Sequence, residues 1–174
     1  MTISLHKHDK VILAIPPNVI TRLLPCFQTP KKENAIVNVH FLLEDKPNLP
    51  NNSPFVGIIG GQSHWLFKHK DIYSVTISAA NEFAKKSDIE ISKIIWKEVA
   101  KVIGDENREC PLYRIIREKR ATFAQTSAEN QLRPDSQTQW KNLFLAGDWT
   151  NTSLPATIES AVVSGQKVAE IVHK

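Results

Sequence analysis

The sequence predicts an α/β fold of α+β character, with an antiparallel or mixed sheet set between two strand–helix pieces, one at each end of the chain. Three observations point there. Short, continuous apolar runs at Lys10–Ile15 and Asn142–Ala146 are each followed by a helical pattern. Alternating apolar runs crowd together between Ala35 and Ser78, separated by turn residues. One capped amphipathic pattern begins at Ser87. The 174 residues suit one domain or two small lobes and can bury a sizeable core. With 41% hydrophobic and 23% charged residues, collagen-like, low-complexity and disordered classes are excluded.

Lys10-Val-Ile-Leu-Ala-Ile15 is rich in β-branched residues and stops at Pro16-Pro17, as a buried strand would. Pro17 can open a short helix that runs to Leu24 and closes at Pro25. After a polar connection, Ala35 to Glu44 places Val37, Val39, Phe41 and Leu43 on one face of a strand. Pro47 to Pro54 is turn punctuation. Strands over Phe55–Ile59, His64–Phe67 and Ile72–Ser78 then follow as an antiparallel meander, with Gly57-Ile-Ile-Gly-Gly61 read as a hairpin turn. Ser87-Asp-Ile-Glu90 has capping-box spacing, Ile91, Ile94, Ile95, Val99 and Val102 share a helical face, and Gly104 ends that helix. Leu112 to Phe123 reads as a strand bearing an unusual cationic run, and Ser127 to Gln139 as polar and irregular. Asn142–Ala146 is a short buried strand. The helix from about Ala156 to Val172 puts Ile158, Val162, Gly165, Ala169 and Val172 on one face, with small residues for close approach to a sheet. Each terminal piece is too small to stand alone, so the two are expected to meet.

The net charge of +4 comes from scattered Lys and Arg, so a solvated basic surface is favoured over a nucleic-acid groove. No apolar run reaches the roughly 18 residues of a membrane span, and the N-terminus has no apolar leader. Cys26 and Cys110, in no metal or redox spacing, read as reduced, buried thiols of a cytoplasmic protein. Among six histidines only His6 and His8 are close in sequence, and no metal site is expected. No nucleophile motif of a hydrolase occurs.

Leu143-Phe-Leu-Ala-Gly-Asp-Trp-Thr150 delivers a carboxylate at the C-terminal end of a strand, just before a helix begins. Ligands of α/β sheets bind at such strand ends. Gly147 lets the backbone pass close to another group, Asp148 can accept hydrogen bonds from hydroxyls, and the unpaired N–H groups of Ala156 to Glu159 can donate to a polarised or anionic oxygen. The bland alternative is a turn with Asp148 as a cap.

Leu145-Ala-Gly-Asp-Trp-Thr150, followed by Leu154-Pro-Ala-Thr-Ile-Glu-Ser-Ala161 and Ser164-Gly165, resembles the C-terminal FAD signature of flavin-containing amine oxidases and of carotenoid or squalene-type desaturases. Within that superfamily the chain is most similar to the hydroxysqualene dehydroxylases of bacterial hopanoid pathways. The likeness extends to Val11-Ile-Leu-Ala-Ile-Pro-Pro17, Ile36-Val-Asn-Val-His40, Gly57–Gly61 with Trp65, Ile77-Ser-Ala-Ala80 and Glu118-Lys-Arg-Ala-Thr-Phe123, nearly the whole chain.

The resemblance implies the C-terminal part of an FAD/NAD(P)-binding flavoprotein fold. Residues 1–30 and 138–174 would form a partial dinucleotide-binding lobe, and 31–137 the substrate-domain sheet and helix. Gly147, Asp148, Trp149, Thr157 and Ile158 become cofactor-binding positions. Asp148 would meet the ribityl chain, and Thr157 and Ile158 would act through their backbone near the flavin pyrimidine. Trp149 would flank the isoalloxazine or serve as a packed indole. Lys119 or Arg120, at most one of them, becomes a catalytic cation. As a plain strand pair they are surface charges or partners for Glu118. Trp65, Phe67 and Tyr73 line an apolar tunnel or pack a core.

The implied reaction is reductive removal of the hydroxyl of a hydroxysqualene-type isoprenoid. The alternatives are an amine oxidase or carotenoid desaturase fragment, and a non-catalytic remnant that binds a partner polypeptide. The Gly-x-Gly-x-x-Gly turn that holds the ADP half of FAD is absent from the sequence. The chain is therefore expected to be the C-terminal portion of a longer enzyme, beginning just before Lys10, and inactive alone. It would need an N-terminal FAD-binding half, missing from this chain or carried on another polypeptide. Apolar surface on both terminal strands would stay uncovered without that half. The resemblance adds an apolar isoprenoid substrate, no nucleic acid, and contact with a membrane surface only through that lipid.

Overall fold

The computed structural model describes His6 and residues 8–173; Met1–Leu5, part of the stretch read as lacking an apolar leader, lie outside the described residues. The chain divides into two compact units. One joins the segment ending at Glu33 to the segment beginning at Thr122, and the other is Asn34–Ala121.

The first unit is built on two strands from opposite ends of the chain. Strand β1 (Val11–Leu13) pairs in parallel with β7 (Leu143–Leu145), Val11 opposite Leu143 and Leu13 opposite Leu145. Alternation along β7 sends Leu145 to one side and Phe144 to the other. Leu145 joins Ile20, Phe123, Trp149 and Ala156 in one apolar cluster. Ile20 comes from helix α1 (Pro17–Leu23), whose first turn is proline-led as expected. Phe144 and Ala146 pack with Val168, Ile171 and Val172 of helix α4 (Ile158–Val172). Strand β7 is therefore covered on both sides, contrary to expectation. Uncovered apolar surface is found on β1, where Ile12 remains 46% exposed.

The second unit holds most of a five-stranded sheet in the order β3-β4-β5-β2-β6. Strand β2 (Glu33–Leu42) alternates as its sequence dictates, and Val37, Val39 and Phe41 are fully buried. Strands β3 (Phe55–Gly57), β4 (Trp65–His69) and β5 (Ile72–Ile77) form the antiparallel meander, and β5 pairs antiparallel with β2. The β3–β4 turn is fastened by Glu98, whose carboxylate accepts the N–H groups of Gln62 and Ser63 at 2.8 Å. A Cβ on Gly61 would stand 2.8 Å from that carboxylate, so a larger residue there would push the Glu98 side chain off the turn.

Helix α2 (Asp88–Ile103) covers one face of this sheet. Its capping box is complete, and Gly104 closes it with a left-handed φ of 77°. Ile91, Ile95, Trp96 and Val99 pack with Val39, Phe41, Tyr73 and Val75. Strand β6 (Tyr113–Phe123) completes the sheet beside β2.

Residues 122–137, expected with the middle segment, cluster instead with the terminal segments. A short helix, α3 (Ser127–Asn130), replaces the expected irregular stretch. Its buried Glu129 accepts the N–H of Lys31 at 2.6 Å, and Phe123 enters the Ile20–Leu145 cluster. Both cysteines are free and exposed, so the expectation of buried thiols is corrected: each follows or precedes a proline in an irregular connection rather than in an element with a core face. No described helix is long and apolar enough to cross a membrane.

Candidate functional site

The Gly147–Thr150 turn follows β7 directly and is clasped by hydroxyl groups of α4. Gly147 has φ +146°, and a Cβ there would lie 2.5 Å from Trp149 Nε1. Only glycine fits this crossing. Its N–H donates to Ser164 Oγ at 2.9 Å, and its carbonyl accepts from Thr150 Oγ1 at 2.8 Å. Ser160 Oγ donates to the Asp148 carbonyl at 3.2 Å.

The expected packing face of α4 is corrected by these contacts. Ser160, Ser164 and Val168 are buried, whereas Ile158 is 87% and Val162 49% exposed, and Gly165 and Ala169 also face outward. The polar turn needs donors and acceptors, so the hydroxyl stripe faces inward and the apolar stripe is left outside. Close approach is provided by Ser164, not by Gly165.

Arg133 binds the arrangement together. Its guanidinium donates to the carbonyls of Leu154 at 2.7 Å and Asp148 at 3.0 Å, and to Thr152 Oγ1 at 3.2 Å. It also lies over the Phe123 ring, 5.4 Å from the centroid. Burial pulls its proton affinity down, and the nearby Asp148 charge pulls it up. Arg133 lies in the stretch that the sequence presents only as polar; the signal available was Ser160 and Ser164 at i, i+4 on an apolar helix, which calls for a polar partner opposite.

The Asp148 carboxyl is half-buried, and that burial raises it above its ordinary range. Its own N–H, the Arg133 charge and the Trp149 N–H oppose the rise. Helix α4 starts at Ile158 with Thr157 as its cap, the Thr157 side chain accepting the N–H of Ser160. That leaves the N–H groups of Ile158 and Glu159 without acceptors among the described residues, at the positive end of a 15-residue helix. A half-buried carboxylate beside open helix N–H groups suits a hydroxylated chain joined to an electron-rich ring, so these residues fit the polyol and pyrimidine end of a flavin. Trp149 shows the packed role: it is 2% exposed, and its Nε1–H donates to the Ile15 carbonyl at 3.0 Å.

Gly147, Asp148, Trp149, Thr157 and Ile158 thus belong to one unit. Lys119 and Arg120 lie on β6 in the other. Alternation breaks there, Glu118, Lys119 and Arg120 all being exposed, and neither cation has an ionic partner among the described residues. Tyr73 is buried, its hydroxyl donating to the Pro47 carbonyl, whereas Trp65 and Phe67 are 45% and 42% exposed. No cluster of three or more metal-ligating side chains occurs among the described residues.

Comparison with known proteins agrees with this geometry. The sequence pattern of the flavin containing amine oxidoreductases matches residues 2–173. The chain is 44% identical over 170 residues to hydroxysqualene dehydroxylase of Rhodopseudomonas palustris, covering 98% of this chain and 40% of the relative. Identity to the Zymomonas mobilis hydroxysqualene dehydroxylase is 43% over 169 residues, covering 97% and 40%. The chain therefore spans about 40% of the length of these relatives. The structure of wild-type putrescine oxidase bound to putrescine superposes with a TM-score of 0.65 at 18% identity, over 95% of this chain and 43% of that one, a likeness of fold. The chain belongs to the flavin containing amine oxidoreductase family.

Proposed function

We propose that this chain supplies the flavin end and the substrate-domain sheet of an FAD-dependent oxidoreductase that removes the hydroxyl of a hydroxysqualene-type isoprenoid. The observation that carries the reading is the Gly147–Glu159 constellation, with its half-buried carboxylate, open helix N–H groups and glycine crossing. Similarity to hydroxysqualene dehydroxylases over nearly the whole chain supplies the substrate class. Reduced flavin, when bound, supplies a hydride to carbon.

In this reading the Asp148 carboxylate accepts hydrogen bonds from ribityl hydroxyls. The N–H groups of Ile158 and Glu159 and the dipole of α4 favour negative charge on the reduced ring. Arg133 fixes the Asp148 carbonyl so that the side chain is presented in one orientation. Trp149 braces the turn from within the core. Lys119 and Arg120 remain candidate cations of the substrate side.

The adenosine half needs a second body. The β1–α1 turn has the strand-to-helix form of a diphosphate cradle, but Pro16 and Pro17 remove the N–H donors that would hold phosphate. We assign that half to an N-terminal flavin-binding segment, which would also cover Ile12 on β1 and Ile158 and Val162 on α4.

The test is to purify the 174-residue chain with and without a co-expressed N-terminal segment from a relative, then measure flavin absorbance and conversion of hydroxysqualene to squalene. Flavin retention and conversion only with both segments are expected. A stoichiometric yellow complex from this chain alone would overturn the division of the cofactor site, and an assembled flavoprotein that leaves hydroxysqualene untouched would overturn the substrate.

A further inference from the structure

The five-stranded sheet has two unlike faces. One packs on α2. On the other, strand register aligns side chains into rows. Gly57, Trp65, Thr76 and Asn38 stand opposite one another in turn, as do Phe55, Phe67, Ser74 and His40. Each row runs from an aromatic side chain on the β3–β4 edge to a polar pair on β5 and β2.

The aromatic end is open. Phe55, Trp65 and Phe67 are 47%, 45% and 42% exposed, with ring centroids between 5.8 and 6.4 Å apart. Three mutually packed rings that each leave more than two-fifths of their surface open mark a place where apolar matter binds. The polar end is ordered. Thr76 Oγ1 donates to Asn38 Oδ1 at 2.8 Å, and His40 Nδ1 is 2.8 Å from Ser74 Oγ. Asn38 is thereby engaged by its neighbour, whereas His40 Nε2 has no partner among the described residues. His40 is half-buried two strands from Phe67, a lateral distance of about 10 Å. An apolar chain lying on the rings would meet a single polar group at that distance.

We infer that His40 is the hydroxyl-recognising residue of this face and the proton donor to the departing oxygen, an assignment that rests on the reading under Proposed function. In the protonated imidazole, Nδ1–H donates to Ser74 Oγ and Nε2–H points at the substrate hydroxyl. As the allylic C–O bond breaks, its electron pair stays with oxygen, which takes the Nε2 proton and leaves as water. A bound reduced flavin would supply the hydride, two electrons and a proton, that completes the reduction, and His40 is reprotonated from solvent.

The flavin-free chain tests the recognition step. Farnesol and the hydrocarbon farnesene are titrated into the 174-residue protein, with the Trp65 indole and His40 imidazole resonances followed by NMR. Both compounds should shift Trp65, and farnesol alone should shift His40. Equal effects of the two on His40, or no effect of either on Trp65, would overturn the assignment. No flavin takes part, so failure here is separate from failure of the flavin assignment. In the assembled enzyme, His40→Gln keeps a hydrogen-bond donor but cannot pass on a proton, so kcat should fall by about 10²–10⁴-fold while KM holds. An unchanged kcat would remove the proton-donor role.

Discussion

The Arg133 guanidinium donates to the backbone carbonyl of Asp148 at 3.0 Å, and no carboxylate of the protein forms an ion pair with it among the described residues. The charge is spent on neutral oxygens of one loop. Arg133→Met should strand the Leu154 carbonyl, leave the Asp148 carbonyl to the Ser160 hydroxyl alone, and destabilise the protein by about 2 kcal/mol, read by urea denaturation. Arg133→Lys keeps the charge but cannot span both carbonyls, so it should recover only part of that loss.

Gly147→Ala tests the crossing of the loop. The φ of +146° and the 2.5 Å approach to Trp149 Nε1 should together cost about 2–4 kcal/mol. Thermal unfolding followed by tryptophan fluorescence would show it, and a variant as stable as the wild type would mean that the indole swings aside.

Asp148 makes a prediction with a definite sign. Burial raises its folded-state affinity for a proton above that of the unfolded chain, so between the two pKa values the folded state binds more protons and stability falls as pH rises. Asp148→Asn should therefore be as stable as the wild type near pH 3 and at least as stable at pH 7, while losing flavin in the assembled enzyme. Denaturation at both pH values, with flavin content measured alongside, separates the two effects. Clear destabilisation of the variant at pH 7 would mark Asp148 as a structural cap.

Ser87→Ala removes the half of the α2 capping box in which Ser87 Oγ accepts the Glu90 N–H, and leaves Glu90 Oε2 accepting the backbone N–H of residue 87. A loss of about 1 kcal/mol is expected. Circular dichroism through a denaturant titration measures it.

Local rules made much of this architecture legible. Val37, Val39 and Phe41 alternate in the sequence and are buried together, and the Ser87–Glu90 spacing gives a working capping box. The Gly147-Asp148 turn could also be read as a site, because a strand end and a helix start meet there. The inward face of α4 could not. Apolar periodicity selects Ile158 and Val162, but the adjacent turn presents an N–H and a carbonyl to which Ser164 and Ser160 hydrogen-bond. Arg133 is hard to read for a related reason: its shorter hydrogen bonds go to backbone oxygens of a distant loop, and the Ser160–Ser164 spacing hints only that some polar partner lies opposite.

The parallel pairing of Val11–Leu13 with Leu143–Leu145 sets an order on how the molecule can assemble. Asn34–Ala121 is one uninterrupted stretch, so its sheet and α2 can close as soon as that stretch leaves the ribosome. Strand β1 precedes that stretch and does not meet its partner β7 until residues 143–145 have been synthesised. Its closure is the most non-local event in the fold and should be the slowest. Until then Ile12 and its neighbours are an unpaired apolar strand, open to capture by a chaperone or by a second nascent chain. The carboxylate turn that follows β7 takes its shape only when that late strand docks, so the Gly147–Thr150 geometry should be among the last features of these residues to form.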